Sequence, residues 1–557
     1  MKKLLWIVLV MLGWVTYAEA ETLYVRPAGG SYGAEDGSSY ANAYDGFTDV
    51  TWGAGAGKVS PGDTLYICGA HVEKFQVGGE GTLGNQEVLD GACPGDPGSI
   101  IVGSSTGMAI ELIYAQSTRW ITIQNLTLSG GMFATIHCNS GEITCDGLKI
   151  LSNTITCTHA SATSAGITIR SPRNTVINGN TISSSNGTCA LGITMNTALS
   201  MPGDVAYYQL MINSTVSNNT VTGFSKQGIS LVGGAVTGVD IMLGPDFVTG
   251  NTVYGNGDGI YHANHNQITT SGNTVYGNIL TNSTGEGNGI ACTNCDTQII
   301  SRNTVYGNRL EGIHLYTAIA TTRTQIVSNI VYGNNTDGNV GTVPAIFLNT
   351  DSGAGGSAAN VDVIGNVVRG NTSGITFNPS TTGRILNNTI GPQSITSNGE
   401  GCLTIFTSIT SLVIANNVLS CGSVYAILLP DASISGLTLT NNLYDTTGAT
   451  TLVRKLGVNY TAATISSVDA SPITGVLTFL NATSTPPDYR LPSSAGNRRM
   501  GVSGYRCADV RGRACYPDRP DIGAYQATSG DPASTRSAAS TRSAASTRSA
   551  ASARTAR

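Results

Sequence analysis

The chain has 557 residues and few charges, with 29 Lys and Arg against 34 Asp and Glu and a formal net charge of −5. Because nucleic-acid phosphates are bound by concentrated basic surfaces, this sparse and acidic balance argues against a nucleic-acid partner. Beyond the first 20 residues no segment approaches the ~18 consecutive apolar residues of a membrane-spanning helix, so no span is predicted in the mature chain.

The N-terminal segment 1–20 has the features of a secretory signal. Two lysines follow Met1, residues 4–15 are mainly apolar, and Ala-Glu-Ala at 18–20 matches a signal-peptidase site. We therefore predict that the mature chain begins at Glu21 and is secreted, to the extracellular space or the cell surface.

The 12 cysteines fall into neighbouring pairs along the sequence. An even number of cysteines in an exported chain indicates disulfides, although spacing alone does not fix their connectivity. Cys292-Thr-Asn-Cys295 is also compatible with half of a zinc site or a redox motif. No second CxxC accompanies it, which favours a local disulfide or two free thiols. The predicted bridges are Cys68–Cys93, Cys138–Cys145, Cys157–Cys189, Cys292–Cys295, Cys402–Cys421 and Cys507–Cys515.

Residues 21–99 contain TLYVRPAGG from Thr22, the loop GAEDGSS at 33–39 and SPGDTLYICG at 60–69. This succession resembles the opening of the pectate-lyase-like superfamily. The resemblance implies a right-handed parallel β-helix in which residues 21–99 form an N-terminal cap. A cap is needed because an open first coil exposes unpaired strand edges.

Residues 100–463 repeat one theme, in which an Asn-Thr-Val-like block, a turn of variable length and a Gly-Ile strand follow one another. Apolar residues alternate over runs of four or five, which is strand periodicity, and Gly and Asn mark the turns. A cycle of about 29 residues is too short for a propeller blade and lacks the helix of ankyrin or tetratricopeptide units. We predict an all-β solenoid, a right-handed parallel β-helix of roughly a dozen coils.

The first Asn of each block is predicted to occupy an inward bend, where its side-chain amide bonds to the equivalent amides in the coils above and below. The blocks begin at Asn125, Asn153, Asn180, Asn219, Asn251, Asn273, Asn303, Asn329, Asn366, Asn388, Asn417 and Asn442.

Residues 464–526 leave the repeat and are predicted to form a C-terminal cap. Their ending, RPDIGAY at 519–525, is similar to that of the bacterial choice-of-anchor Q proteins, which implies an exported β-helix but no particular chemistry. Residues 527–557 repeat STRSAAS, have no apolar face and are predicted to be a disordered tail.

The Gly-Ile strands provide the candidate site. In each strand the Ile and the residue two positions later are predicted to point inward, which leaves the residue between them pointing outward. Tyr261 and His314 then lie in one outward column, two coils or about 9–10 Å apart, with Ala291 between them. His262 is predicted to be a hydrogen-bonded core residue. Tyr261 and His314 are the predicted catalytic pair.

Four further side chains are predicted to bind a sugar. Tyr316, Phe347 and Asn349 continue the same face, and His265 lies just past its strand. Aromatic side chains around a small floor are typical of ligand subsites.

A polar row accompanies the column, because Asp258, Asn288 and Glu311 each precede a Gly-Ile pair. Asp258 and Glu311 are candidate ligands for calcium, a cation that prefers carboxylate oxygens. Asp and Glu before glycine are also ordinary turn residues, so the row has a purely structural reading as well.

The resemblance to pectate lyases implies β-elimination on a uronic-acid polymer. This reaction requires one group to neutralise the carboxylate, one to abstract the C5 proton and one to protonate the leaving oxygen. Tyr261 and His314 are interchangeable as base and acid at this stage, and calcium would bind the carboxylate. Hydrolysis is a less favoured option, in which Asp258 and Glu311, near 10 Å apart, would suit an inverting mechanism.

A second class of function stays open. The low charge and the Thr, Ser and Asn faces also fit a non-catalytic, monomeric β-helix that binds glycans at the cell surface or builds an envelope layer. The paired-Asp ladder of pectate lyases and the motifs of polygalacturonases and alginate epimerases are missing from the sequence. Any such activity therefore needs a differently placed set of residues.

Overall fold

The computed structural model describes residues 20–479 and 523–524, apart from 104–108, 113–118, 132–133, 139–144, 185–186, 198–210, 234–243, 280–285, 318–319, 322, 338–342, 351–356, 359, 379–381, 394–400, 407–409, 423–424, 431–434 and 449. The predicted signal segment up to residue 19, the Cys507–Cys515 bridge, most of the RPDIGAY ending and the tail lie outside the described residues.

The chain forms three long sheets of stacked strands, and it visits the first, second and third sheet once in every coil. The first sheet consists, in stacking order, of Tyr44–Asp45, Thr22–Arg26, Thr64–Ile67, Glu87–Asp90, Ile121–Gln124, Lys149–Leu151, Val176–Asn178, Thr215–Ser217, Asp246–Thr249, Ile268–Ser271, Ile299–Ser301, Thr324–Val327, Val361–Ile364, Thr382–Leu386, Ser411–Ala415 and Leu437–Thr440.

The second sheet consists of Ala70–His71, Ser99–Ile101, Thr127–Ser129, Thr154–Cys157, Thr181–Ser184, Thr220–Thr222, Thr252–Tyr254, Thr274–Tyr276, Thr304–Tyr306, Ile330–Tyr332, Val367–Arg369, Thr389–Ile390, Val418–Leu419, Leu443–Asp445 and Ile473–Gly475. The third consists of Phe75–Val77, Ile110–Leu112, Ala134–Cys138, Ser161–Arg170, Cys189–Asn196, Gln227–Val232, Asp258–Ala263, Ile290–Thr293, Ile313–Thr317, Pro344–Thr350, Ser373–Asn378, Gly401–Ile405, Tyr425–Leu429, Val453–Lys455 and Val458–Tyr460.

Smaller elements lie beside the sheets. Two strand pairs are separate, Cys145–Asp146 with Pro172–Arg173 and Ala320–Thr321 with Ser357–Ala358. In the described part of the chain, the helices are short 3-10 turns at Tyr40–Asn42, Phe47–Asp49 and Ile465–Ser467. Within the described ranges no helix has the length and hydrophobicity needed to cross a membrane.

The fold is the predicted right-handed parallel β-helix. In the second sheet, twelve strands from Thr127–Ser129 to Leu443–Asp445 give the expected dozen coils. The stacking also extends into both predicted caps, because strands of residues 22–90 and Ile473–Gly475 join the same sheets. The stacked strands therefore begin with Thr22–Arg26, before the boundary predicted at residue 100.

Inward side chains form one continuous hydrophobic core. Each strand alternates, so that the central residue of a Thr-Val-Tyr strand points inward while its neighbours face solvent. The valines of four successive coils are fully buried, as are the isoleucines that follow Gly259, Gly289, Gly312 and Ala345 in the third sheet. These residues are Val253, Val275, Val305, Val331, Ile260, Ile290, Ile313 and Ile346.

The asparagine ladder lies between the first and second sheets. Asn251 is typical, because its Nδ2 donates to Asn273 Oδ1 at 3.0 Å and to the Val216 carbonyl at 2.9 Å, while its backbone N–H also donates to Asn273 Oδ1. The same contacts run from Asn153 to Asn442 and end on Asp469. These buried amides are satisfied by one another, so the ladder fixes the register of the coils.

The first predicted rung is wrong by one residue. Leu126 occupies the ladder position, and its backbone N–H donates to Asn153 Oδ1 at 3.0 Å. Asn125 precedes it with a positive φ of 57°, a conformation that asparagine tolerates better than most residues.

A second ladder, which was not predicted, lies between the second and third sheets. Asn256 Nδ2 donates to Asn278 Oδ1 at 3.1 Å, and Asn278 Nδ2 donates to Asn308 Oδ1 at 2.8 Å. The series continues through Asn334 and Asn371. This second ladder therefore stabilises the turns that connect the second sheet to the third.

Five of the six predicted disulfides are present: Cys68–Cys93, Cys138–Cys145, Cys157–Cys189, Cys292–Cys295 and Cys402–Cys421. Cys292 is bonded to Cys295, so the predicted local bridge is present.

Replacing Asn273 by alanine should destabilise the protein by about 2–4 kcal/mol, because two buried donors of Asn251 lose their acceptor and Asn303 loses a donor. Urea denaturation measures the change. Thr269→Ala, on an outward position of the preceding strand, should change the free energy of unfolding by less than about 0.5 kcal/mol. Equal effects of the two substitutions would contradict a register-fixing ladder.

Candidate functional site

The predicted outward column exists on the third sheet. Tyr261 pairs in register with Ala291, Ala291 with His314, and His314 with Phe347. Tyr261 and His314 are therefore separated by one intervening strand, or about 9–10 Å of sheet.

The small residue Ala291, which is 6% exposed, lies between the two larger residues, and this part of the column is called the notch. Tyr261 is partly exposed and His314 retains 15% of its side-chain exposure. On the other side, the Phe347 ring stacks on the imidazole of His314, with centroids 5.2 Å apart and planes 20° apart. This stacking orients the imidazole beside the notch.

The polar row also lies where the sequence predicts, directly before the paired glycines. Asp258 Oδ1 accepts the backbone N–H groups of Gly287 and Asn288 at 2.8 and 2.9 Å. Glu311 is likewise mostly buried, and its Oε2 lies 4.0 Å from His314 Nδ1. The row is therefore buried beside the column rather than a set of solvated turn residues.

Burial changes the protonation of both carboxyl groups, because desolvation disfavours the charged form. It raises the pKa of Asp258 to about 6, although the two backbone hydrogen bonds act in the opposite direction. Burial raises the pKa of Glu311 to about 7. At neutral pH a substantial fraction of Glu311 is therefore protonated and able to donate a hydrogen bond.

Glu286 is a site residue that sequence reasoning missed. Its carboxylate is exposed, accepts a hydrogen bond from Asn288 Nδ2 at 3.1 Å and lies 4.0 Å from His314 Nδ1. It belongs to the long turn before Ile290–Thr293, so it has no counterpart in neighbouring coils. A prediction based on equivalent positions in successive coils therefore could not identify Glu286. The only local signal in the sequence is the Gly-Glu-Gly at residues 285–287.

His314 is held as a neutral base. Burial lowers its pKa, and the nearby Glu286 carboxylate raises it in part. Within the described residues, His314 Nε2 and Asn288 Oδ1 are buried and have no hydrogen-bond partner. Buried polar atoms are normally paired, so these two have unused hydrogen-bonding capacity, and a ligand reaches them only when neighbouring side chains move.

The remaining predicted residues separate into two groups. Tyr316 pairs in register with Asn349, and both lie partly exposed two residues along the strands from His314 and Phe347. His265, in contrast, is fully buried, with Nε2 2.9 Å from Asp246 Oδ2 and Nδ1 2.7 Å from its neighbour's carbonyl.

The substrate-binding role predicted for His265 is therefore wrong. Asn264 has a positive φ of 48°, which turns the chain inward at this point. His262 is a core residue as predicted, with Nε2 2.8 Å from Thr270 Oγ1, and burial lowers its pKa to about 3.

The calcium prediction stays a prediction. Calcium takes six to eight oxygen ligands, mostly ionised carboxylates and carbonyls. Over the described ranges, no three His, Cys, Asp or Glu side chains converge in a way that could hold a metal ion. One oxygen of Asp258 already accepts hydrogen bonds from two backbone N–H groups, and the mechanism proposed for the site does not involve calcium.

Comparison with known families finds one match, to the model described as "Right handed beta helix region", over residues 209–390. This segment includes the whole notch. No curated protein matches the chain.

Similar solved structures include the A-module of the Azotobacter vinelandii mannuronan C-5 epimerase AlgE4, at 14% identity over 75% of this chain and 91% of that one, with a TM-score of 0.34. The Eubacterium ramulus lacto-N-biosidase matches at 10% identity over 82% and 67%, with a TM-score of 0.39. The Arthrobacter chlorophenolicus DFA-IIIase matches at 12% over 75% and 89%, with a TM-score of 0.36.

Replacing Asp258 by asparagine should stabilise the protein at pH 8 but not at pH 4. Folding raises the pKa of this carboxyl from 3.8 to about 6, so the free energy of unfolding falls as the pH rises between those values. The amide retains an acceptor for Gly287 and Asn288 and removes the buried charge, for a gain of about 1–3 kcal/mol at pH 8. Chemical denaturation at both pH values measures it.

The exposed Asp49 provides the control, because Asp49→Asn removes the same charge from the surface. A gain for Asp258→Asn that is equal at pH 4 and pH 8 would contradict the burial argument.

Proposed function

We propose that the notch is the active site of a secreted polysaccharide lyase, which cleaves a uronic-acid polymer by β-elimination. The observation that carries the proposal is the placement of His314 with Nδ1 4.0 Å from Glu311 Oε2 and one intervening strand away from Tyr261. Burial supports it, because it lowers the pKa of the imidazole and raises the pKa of the carboxyl group to about 7. These groups supply a base, a carboxylate-neutralising donor and an acid on one rigid face.

Glu311 acts on the uronate carboxylate. A protonated carboxyl donates a hydrogen bond to that group, and this bond strengthens as negative charge develops on it during proton abstraction. The C5 proton becomes more acidic as a result. Asn288, in the adjacent coil, lies in the same row and helps to position the sugar.

His314 and Tyr261 complete the elimination. His314 Nε2 accepts the C5 proton, the C4–O4 bond breaks as the C4–C5 double bond forms, and the Tyr261 phenol donates its proton to the departing O4. The imidazolium returns its proton to solvent and the phenolate regains one. Tyr316, Phe347 and Asn349 bind neighbouring sugars, because they extend the same face along the solenoid.

Hydrolysis is the second candidate, favoured by the two buried carboxyl groups on one face. Their two-coil separation suits an inverting pair. Asp258 is a weak candidate for the base, because its Oδ1 already accepts two backbone hydrogen bonds.

The direct test measures the ultraviolet absorbance of the new C4–C5 double bond, which is conjugated to the carboxylate, on pectate, alginate and other polyuronides. His314→Ala should reduce the rate at least about 100-fold. The matched control is His137→Ala, because His137 occupies the same outward column in an earlier coil that lacks the notch.

New reducing ends without new absorbance would indicate hydrolysis instead. Binding to the same polymers without any turnover would indicate a non-catalytic glycan-binding protein. Either result would overturn the lyase proposal.

Activity should fall as the pH rises through about 7, because Glu311 loses the proton that it donates to the uronate carboxylate. Glu311→Gln keeps a donor at this position without an ionisation, so it should retain activity and remove the alkaline limb of the pH–rate profile. Glu311→Ala should lose most activity at every pH. Complete inactivity of the glutamine variant would instead indicate that Glu311 transfers a proton, as hydrolysis requires.

A further inference from the structure

Four tyrosines form an exposed column on the second sheet. Tyr254, Tyr276, Tyr306 and Tyr332 are in register in successive coils. Their ring centroids are 5.0, 4.9 and 4.9 Å apart and their planes differ by only 3–8°. All four are partly exposed, so the column lies on the outer surface of the solenoid.

Stacking leaves ring faces open only at the two ends of the column. The inner rings cover each other, and at one end Tyr332 pairs in register with Arg369. At the other end Tyr254 pairs with Thr222, whose side chain is too small to cover a phenol ring. In the described part of the chain, Tyr276 is the only aromatic neighbour recorded for Tyr254.

A floor of hydroxyl groups begins where the tyrosines stop. The outward residues of the four preceding strands are all Ser or Thr, in two parallel columns about 6–7 Å apart with steps of about 4.8 Å. None of these side chains carries a charge. They are Thr222, Ser183, Thr156 and Ser129 in the column of the tyrosines, and Thr220, Thr181, Thr154 and Thr127 beside it.

We propose that the junction between the tyrosine column and the hydroxyl floor is a glycan-binding site. An uncharged polysaccharide binds along the hydroxyl floor, with one sugar ring stacked on the open face of Tyr254. A sugar combines an apolar C–H face with a rim of hydroxyl groups. The aromatic face packs against the first, and the Ser and Thr hydroxyls bond to the second, directly or through water. The uncharged floor selects neutral sugars over uronates.

The site differs from the proposed active site in sheet and in chemistry. Tyr254 ends a strand of the second sheet, and a tight turn through Gly255 and Asn256 leads to Asp258 on the third. The two faces therefore meet at one edge of the solenoid. Glycan binding at Tyr254 does not depend on whether the notch is catalytic.

The test measures binding of soluble neutral glucans and mannans by affinity electrophoresis, with polygalacturonate as the charged comparison. All variants also carry His314→Ala, so that cleavage of the polysaccharide by the proposed lyase activity cannot affect the binding measurement. Tyr254→Ala should weaken binding about tenfold, which corresponds to the loss of one stacking contact.

Two further variants separate binding from stability. Tyr276→Ala removes an inner ring and should lower stability, but it leaves the open face of Tyr254 and should change affinity less than about threefold. Thr222→Glu places a charge against that face and should abolish binding while the fold is retained. The proposal is overturned if Tyr276→Ala weakens binding as much as Tyr254→Ala, if only polygalacturonate binds, or if no polysaccharide binds.

Discussion

The structure depends on the register between consecutive coils. Parallel hydrogen bonds join each strand to its equivalents above and below, and the buried Asn251–Asn273 type of contact locks the same alignment from inside. A slip of one residue would turn the core side chains outward and break every amide contact. Register is therefore fixed twice, by backbone and by side chains, and side chains at equivalent positions must stack in columns.

Both proposed sites are consequences of these columns. A column makes neighbours of residues about 30 positions apart, so a single change in one coil creates an edge or a gap. Ala291 in place of a larger residue produces the notch between Tyr261 and His314. Thr222 in place of a fifth tyrosine produces the open ring face. In each case the recognition surface is the point where a repeat is interrupted.

Much of the fold could be predicted because its determinants repeat. The alternation of apolar residues around Val253 and the recurrence of the Asn blocks predict the coils. Aligning the equivalent positions of successive coils then predicts the column of side chains that includes Tyr261. What failed lies at turns, where no repeat applies: Asn125 is offset by one residue, and His265 turns inward after Asn264. Glu286 enters the site from an insertion, so only three-dimensional coordinates reveal it.

Depth of burial is the property that the sequence predicts least well, and it resolves an electrostatic difficulty of the proposed reaction. Asp258, Glu286 and Glu311 on one face would repel a uronate if all were ionised. Desolvation raises the pKa of Asp258 and Glu311, so that at mildly acidic pH they present protons, and Glu286 alone is exposed to solvent. Because Glu286 lies 4.0 Å from His314 Nδ1, its charge stabilises the imidazolium that forms when His314 accepts the C5 proton.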